Sequence, residues 1–336
     1  LIPDVSSRSG PRVAVPSVDV LPAAVTADLA RVEERVAAEL VSREPRLESI
    51  AAHLVQAGGK RVRPLVILLV HHAIAGANAP RRDDAIEAAV ALELIHSATL
   101  LHDDIIDGGE TRRGRPSALK TFGLADTLVA GDFLFCRAFA LCSRFEAEVV
   151  RWAAEACVSL TEGEIMQGRL RHDPNVTEAD YDEIIERKTA SLFAVGAKTA
   201  AHLAGGSPDL VAAMEACGRH VGLAFQMQDD LLDAGQTTVT GKPRGIDLRD
   251  GNPSLPVVLT LARDPEFRTL FARRPPAPAD IEEGLARIAR AGVCGVVADR
   301  ARAQLDAALA AIARLPASPA RDALVDLARS MDHRTA

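Results

Sequence analysis

Aromatic residues make up only 3% of this 336-residue chain, with one Trp and one Tyr. Base-stacking platforms for single-stranded nucleic acid are therefore not available in number. Basic residues are also in deficit: Lys plus Arg total 39 against 46 Asp plus Glu, a formal charge of −7. A general nucleic-acid binder leans the other way, because phosphate neutralisation dominates its affinity. Cysteines are few, odd in number and scattered. Cys136, Cys142, Cys157, Cys217 and Cys294 sit in apolar helical stretches, the pattern of reduced, buried thiols in a cytoplasmic protein and not of a disulfide frame or a zinc site. Long apolar runs are missing as well. The strongest, Leu65 to Val70, meets His71 and His72, whereas a membrane span needs about 20 residues. Pro3, Asp4 and Pro11 occupy the place of a secretory apolar region. These deficits predict a soluble, cytoplasmic protein with no nucleic-acid partner and no membrane span.

Hydrophobic residues reach 48% and charged ones 25%, a globular balance. From Leu21 onward Ala, Leu, Glu and Arg dominate, and apolar residues recur three and four apart. That is the helical period, and convincing strand alternation is absent. Gly/Pro breakers at 58–59, 76–80, 108–116, 205–208, 241–256 and 275–278 divide the chain. They leave helical segments near 24–43, 46–57, 61–75, 82–107, 123–145, 148–170, 177–204, 208–233, 254–272, 279–290, 292–313 and 319–331. Several are apolar on more than one face, as central helices of a bundle must be. Residues 1–20, Ser/Pro-rich and without periodicity, read as a flexible N-terminal arm; residues 21–336 read as a single all-α domain.

One short motif occurs twice. Asp103-Asp104-Ile105-Ile106-Asp107 closes the fourth predicted helix and Asp229-Asp230-Leu231-Leu232-Asp233 the eighth. On a helix Asp103, Asp107 and Asp104 fall at about 0°, 40° and 100°, so the three carboxylates share one arc. Like charges at that spacing destabilise a helix by roughly 0.2–0.5 kcal/mol per pair, and the helix dipole disfavours anions at a C-terminal end. Two such clusters in apolar surroundings call for a compensating cation. Hard oxygen donors without neighbouring His or Cys suit Mg²⁺, which completes its shell with water and substrate phosphate.

Cationic groups occur where an anionic substrate would need them. Gly58-Gly59-Lys60-Arg61-Val62-Arg63-Pro64 sets three cations on a glycine-opened loop leading into a helix N-terminus. Arg112-Arg113-Gly114-Arg115 follows the first acidic motif by five residues, and guanidinium forks suit bidentate phosphate contacts. Lys188 and Lys242 add point charges, and His96 lies two turns before Asp103. No catalytic triad, Walker or Rossmann pattern is present.

In order along the chain, GGKRVRP (58–64), ELIHSATLLHDDIID (93–107), ETRRGRPS (110–117), EGEIMQG (162–168), ERKTASLF (186–193), FQMQDDLLD (225–233) and GKPRGIDLRDG (241–251) resemble the signatures of the trans-isoprenyl diphosphate synthases, or polyprenyl synthetases. The resemblance covers the chain from about Leu21 onward. It implies the all-α isoprenoid synthase fold, ten or more helices around a deep central cavity, usually as a homodimer. It further implies that Asp103, Asp107 and Asp229 bind three Mg²⁺ ions on the allylic diphosphate, with Asp104, Asp230 and Asp233 as metal partners that act through those ligands or through water. Arg112, Lys188 and Lys242 would hold the same diphosphate. Lys60, Arg63, His96 and Arg113 would take isopentenyl diphosphate, and Thr189 and Gln226 would face the developing carbocation. One departure is Asn252, where many members carry a lysine.

The implied reaction is ionisation, condensation and elimination. Charge on the departing diphosphate is stabilised electrostatically, an apolar cavity excludes water, and the released diphosphate serves as the base. A terpene cyclase of the same fold would pair one Asp motif with a different second motif and line its pocket with aromatics. A non-catalytic subunit of a heteromeric synthase would tend to lack the Asp motifs. Neither fits two full Asp motifs and few aromatics. For product length, family members with short products often carry Phe or Tyr at one of the positions of Ala98 and Thr99, both small here. Phe133, Phe135 and Phe139 are the candidate tunnel floor. The expected product is all-trans, about C30 to C50, with the C20 diphosphate as the alternative.

Overall fold

A helix apolar on every side has to sit at the centre of a bundle, and two helices of the larger core follow this over much of their length. Helix α3 (Val62–Ala75) buries every residue from Pro64 to Ala73, and α4 (Arg82–Ile106) every residue from Ala88 to Ile95. The computed structural model describes residues 21–56, 58–76, 81–235 and 244–332; the expected arm at 1–20 and Lys242 lie outside the described residues. Around the central pair pack α1 (Ala23–Glu39), α6 (Leu124–Cys142), α9 (Ser191–Leu203) and α16 (Pro319–Asp332). Outside these lie α2 (Pro45–Gln56) on α6, α7 (Ala147–Arg169) on α9, α10 (Pro208–Ala234) on α9, and α15 (Val293–Ile312) on α10. A second, smaller apolar cluster joins Tyr181 of α8 (Glu178–Ile185) and Met227 and Leu231 of α10. It continues through α11 (Ile246–Asp250), α12 (Leu255–Leu261), α13 (Pro265–Phe271), α14 (Pro278–Ala291) and α15.

Helix α4 is long and apolar enough by composition to cross a bilayer, with mean hydropathy 1.2 over its best window. A search for uninterrupted apolar runs misses it because Glu87 and Glu93 break the run. That window is 72% buried inside the bundle, and the helix ends in the first acidic motif, so the protein itself accounts for its apolarity. A buried ion cluster ties it to its neighbours: Asp28 of α1 accepts from Arg82 of α4 at 2.7 Å and pairs with His72 of α3 at 2.7 Å. Burial pushes the Asp28 pKa upward, but these two partners outweigh it and the net shift is down.

Three differences from the sequence reading have local causes. The 254–272 segment is two helices, because Pro265 starts a new one and the Asp264 carboxylate accepts from the Glu266 and Phe267 amides at 2.9 and 3.0 Å. Between α4 and α6 lie a two-residue ribbon, β1 (Thr111–Arg112) with β2 (Arg115–Pro116), and the short α5 (Ala118–Phe122). The ribbon turns on Arg113 and Gly114, both at positive φ, as a tight hairpin needs. The 177–204 segment is continuous but widens into a π turn at Glu186–Ala190 between α8 and α9.

Glycines make room for that turn. A Cβ on Gly163 of α7 would lie 2.7 Å from the Lys188 amide nitrogen, and one on Gly222 of α10 would lie 2.7 Å from the Ala190 Cα. A Cβ on Gly218 would run into the Phe193 carbonyl, whereas one on Gly295 meets nothing within 4 Å. We expect Gly218→Ala to destabilise the protein by about 1–3 kcal/mol through overpacking, and Gly295→Ala to stabilise it by about 0.5–1 kcal/mol through helix propensity. Urea unfolding of the two variants tests this; equal midpoints would refute the close approach of α9 and α10.

Candidate active site

The first acidic motif ends α4, and its carboxylates divide by environment. Asp104 is buried and accepts from Arg112 Nε at 2.7 Å. Its backbone oxygen also receives the Gly109 amide at 2.9 Å, which folds the chain back toward the ribbon. Asp103 points the other way, toward α7 and the π turn, where Lys188 Nζ lies 3.9 Å off. Lys188 is held there by Gln167 at 2.7 Å and by Glu164, both on α7. Burial pushes the Asp103 carboxyl up to about 6, with Glu164 and Asp107 adding to the rise and Lys188 opposing it. Burial also disfavours charge on Lys188, but Asp103 and Glu164 outweigh it and raise its pKa. Asp107 meets the Arg171 guanidinium from the turn after α7.

The second motif ends α10. Asp230 is buried in a chain of hydrogen bonds: Thr189 donates to the Gln226 side-chain oxygen at 2.8 Å, and the Gln226 amide donates to Asp230 at 2.9 Å. Tyr181 Oη and the Leu255 amide reach the other carboxylate oxygen at 2.8 and 3.1 Å. Burial still pushes Asp230 up to about 6 against these donors. Asp233 accepts the Ile246 and Asp247 amides at 2.9 and 3.0 Å and so anchors α11. Asp247 is itself raised well above the usual carboxylate range by burial beside Asp233 and Asp230. Asn252 donates its backbone N–H to the Asp247 carbonyl at 2.8 Å, and its side-chain amide faces the Asp247 carboxylate. The two motifs share neighbours. Arg249, bonded to Asp250, also lies in the fields of Asp107 and Asp233, and Arg63 in those of Glu93 and Asp229.

A cationic group faces these carboxylates. Arg61 is anchored on Glu93 at 2.6 Å. Arg63 stacks on the Phe193 ring at 4.6 Å, and burial pulls its pKa down to about 10. Arg113 is lowered by burial and by Arg61 and Arg112. His96 is held neutral, its pKa well below 6.5, by burial and by Arg63, Arg113, Arg112 and Arg61. Arg61 and Arg112 are already paired with Glu93 and Asp104, so Arg63 and Arg113, both lowered in pKa, are the cations beside the neutral imidazole that an incoming anion would stabilise. Lys60 is exposed at its edge.

Thr99 shares the half-buried face of α4 with His96 and Asp103, whereas Ala98 is fully enclosed in the core. Phe133 and Phe135 pack partly buried against that core. Phe139 stacks on Phe135 at 6.5 Å but is 40% exposed, so it closes a floor only if something covers α6. Glu93, Glu164, Gln167, Arg171, Tyr181, Asp247 and Arg249 join the site without having been singled out from sequence. Glu93, Glu164, Gln167, Asp247 and Arg249 lie inside the family signatures at 93–107, 162–168 and 241–251, and those segments were the available signal. Arg171 and Tyr181 lie outside every signature, and their place depends on tertiary contact.

Buried paired carboxylates at two helix ends, facing guanidinium groups, define an all-α enzyme that handles diphosphates. The polyprenyl synthetase family matches residues 44–288, and the chain belongs to it; it is a prenyltransferase. It is 34% identical over 325 residues to octaprenyl diphosphate synthase of Haemophilus influenzae, covering 93% of this chain and 95% of that one. It is 39% identical over 225 residues to geranylgeranyl diphosphate synthase of Methanosarcina mazei, covering 65% and 68%. Among solved structures it resembles polyprenyl synthase from Caulobacter crescentus complexed with calcium and isoprenyl diphosphate. That match has TM-score 0.88 and 37% identity, covering 97% of this chain and all of the other.

Tyr181→Phe removes one donor from buried Asp230. We expect a loss of about 1–3 kcal/mol. Its pH dependence follows from the direction of the shift. The folded-state pKa of Asp230 is already raised to about 6, and losing a donor raises it further, so the added penalty is full above the variant's own higher pKa, shrinks as pH falls through it, and is largely gone below about 6. Urea unfolding at pH 8 and pH 5 reads this; an equal loss at both would contradict it.

Proposed function

We propose that this enzyme is a trans-polyprenyl diphosphate synthase that condenses isopentenyl diphosphate head-to-tail with an allylic diphosphate to a medium- or long-chain product. The carrying observation is that Asp103 and Asp107 lie in the field of Lys188 at the end of α4, while Arg63 and Arg113 flank His96 and Arg63 also feels Asp229 of the second motif. A divalent cation fits the first set. Its donors are hard carboxylate oxygens, and Asp103 is raised by burial and by its acidic neighbours, which a cation would relieve. Among the described residues no three acidic or imidazole side chains form a ready-made cage, as suits Mg²⁺, which takes much of its shell from water and phosphate. We assign three Mg²⁺ ions to Asp103, Asp107 and Asp229; bound there, they would supply charge stabilisation to the departing diphosphate.

The chain's own residues do the rest. Lys188, Arg112 and Lys242 bind the allylic diphosphate. Arg63, Arg113, Lys60 and neutral His96 bind that of isopentenyl diphosphate and point its double bond at the allylic C1. The Thr189–Gln226 pair turns oxygen dipoles toward the cation as it forms, and Asp104, Asp230 and Asp233 hold the surrounding helices. No protein base is assigned; the released diphosphate takes the proton. Residues 21–336 act as one domain. Leu124, Leu128, Val129 and Phe139 of α6 and Val158 and Ile165 of α7 are apolar and at least 40% exposed. Such an apolar surface supports a homodimer, in which a partner would also enclose Phe139.

EDTA should abolish turnover and Mg²⁺ restore it. Asp103→Ala and Asp229→Ala should lower kcat by roughly 10²-fold or more, while Arg63→Ala should chiefly raise KM for isopentenyl diphosphate. Steady-state kinetics read these; equal effects of all three on both parameters would break the two-site assignment.

Small residues at Ala98 and Thr99 support a product of about C30 to C50, with C20 as the second reading given the geranylgeranyl relative. Thr99, on the half-buried face, is the sharper probe. Thr99→Phe should shorten the product to C15–C20 while the first condensation continues. Ala98→Phe should shorten it too, with an overpacking cost of about 1–3 kcal/mol. Chromatography of dephosphorylated products decides; an unchanged ladder in Thr99→Phe would refute the tunnel.

A further inference from the structure

The turn between α7 and α8 carries a cation that the reaction described above does not use. Arg171 sets its Nη2 on an Asp107 carboxylate oxygen and its Nη1 3.4 Å from the Ile106 carbonyl. Its backbone is clamped from two sides. Arg274 donates to the Arg171 carbonyl at 2.6 Å, and the next residue, His172, donates its N–H to the Gly251 carbonyl at 2.8 Å. The His172 ring lies so close over Gly251 that a Cβ there would overlap it. The guanidinium itself is less constrained: its Nε is buried without a hydrogen-bond partner, and the side chain keeps 18% exposure. The other guanidinium near Asp107, Arg249, is tied to Asp250 by bonds of 2.6 and 2.9 Å.

We propose that Arg171 is a built-in counter-cation for the first acidic cluster, holding Asp107 in the diphosphate-free enzyme and yielding it when a divalent cation arrives with diphosphate. This rests on reading Asp103 and Asp107 as metal ligands. A guanidinium and a metal ion compete for the same carboxylate oxygen. Metal alone must evict Arg171 and leave it without an anionic partner. Metal accompanied by diphosphate gives the displaced guanidinium new acceptor oxygens in bidentate geometry. Arg171 therefore weakens metal binding in the empty enzyme and makes metal and diphosphate bind cooperatively, a coupling that works equally in both directions.

The test is Mn²⁺ binding by the full chain, read by electron paramagnetic resonance with and without inorganic diphosphate. Without diphosphate, Arg171→Met should bind Mn²⁺ about tenfold tighter than wild type, a ratio within the usual range of coupling between sites. The gain in Mn²⁺ affinity on adding diphosphate should shrink by at least the same factor. Arg171→Gln, neutral but able to hydrogen-bond, should behave like Arg171→Met and covers the case in which that variant fails to fold; Arg171→Lys should behave like wild type. Equal Mn²⁺ affinity in wild type and the neutral variants without diphosphate would overturn the proposal while leaving the metal site intact. Mn²⁺ binding that Asp103→Ala and Asp107→Ala leave untouched would overturn the metal reading and this inference together.

Discussion

Acidic side chains crowded at the ends of apolar helices are the constraint around which this molecule is organised. An ionised carboxylate taken out of water is tolerated only when paired or hydrogen-bonded, and the ones here are met in different ways. Asp104 takes Arg112, Asp230 takes Tyr181, Gln226 and the Leu255 amide, and Asp233 takes two amides of α11. These bonds tie all three side chains to neighbouring elements, although one buried oxygen of Asp104 keeps no hydrogen-bond partner. Asp103 and Asp107 instead face the side chains of Lys188 and Arg171, cations that a bound ion could replace. One motif thus does two kinds of work, and the division follows from where each side chain points as α4 turns.

The same constraint explains the polar equipment of the neighbouring elements. Lys188 can stand beside Asp103 only because the π turn bulges toward α7, and it can bulge only because Gly163 presents no side chain. A π turn inside an α-helix is a frequent device at functional sites. Here it brings Lys188 and Thr189 to different partners from adjacent positions: the lysine to Glu164 and Gln167, the threonine to Gln226.

Much of this was legible in the sequence because it is local. The duplicated acidic motif, the glycine-opened basic loop and the helical period are short-range patterns, and the helix geometry that places Asp103 and Asp107 together follows from spacing alone. What was not legible depends on which elements meet. Nothing near Tyr181 announces that its hydroxyl will serve Asp230, 49 residues on. Nothing around Arg171 announces Asp107, 64 residues earlier. Helix α4 passed as an ordinary bundle helix because Glu87 and Glu93 interrupt its run, yet Glu93 is the anchor for Arg61. The division of 254–272 was available in principle from Asp264-Pro265, a cap followed by a residue suited to the first helical position, but the apolar pattern continues across it.

The π turn has a further consequence, for how the chain can change in length. Each residue of an α-helix advances the direction of its side chains by about 100°. Removing one residue from 186–190 would let the widened turn relax toward regular geometry, and it would also rotate everything beyond it relative to α8. Phe193 would leave Arg63, and Gly196 would no longer meet Leu92 and Ile67, where it now allows α9 to lie against α3 and α4. A substitution in this stretch alters one contact, whereas a deletion re-aims a whole helix. Variation here should therefore accumulate as residue exchanges at constant length, while gains and losses of residues collect in the outer connections.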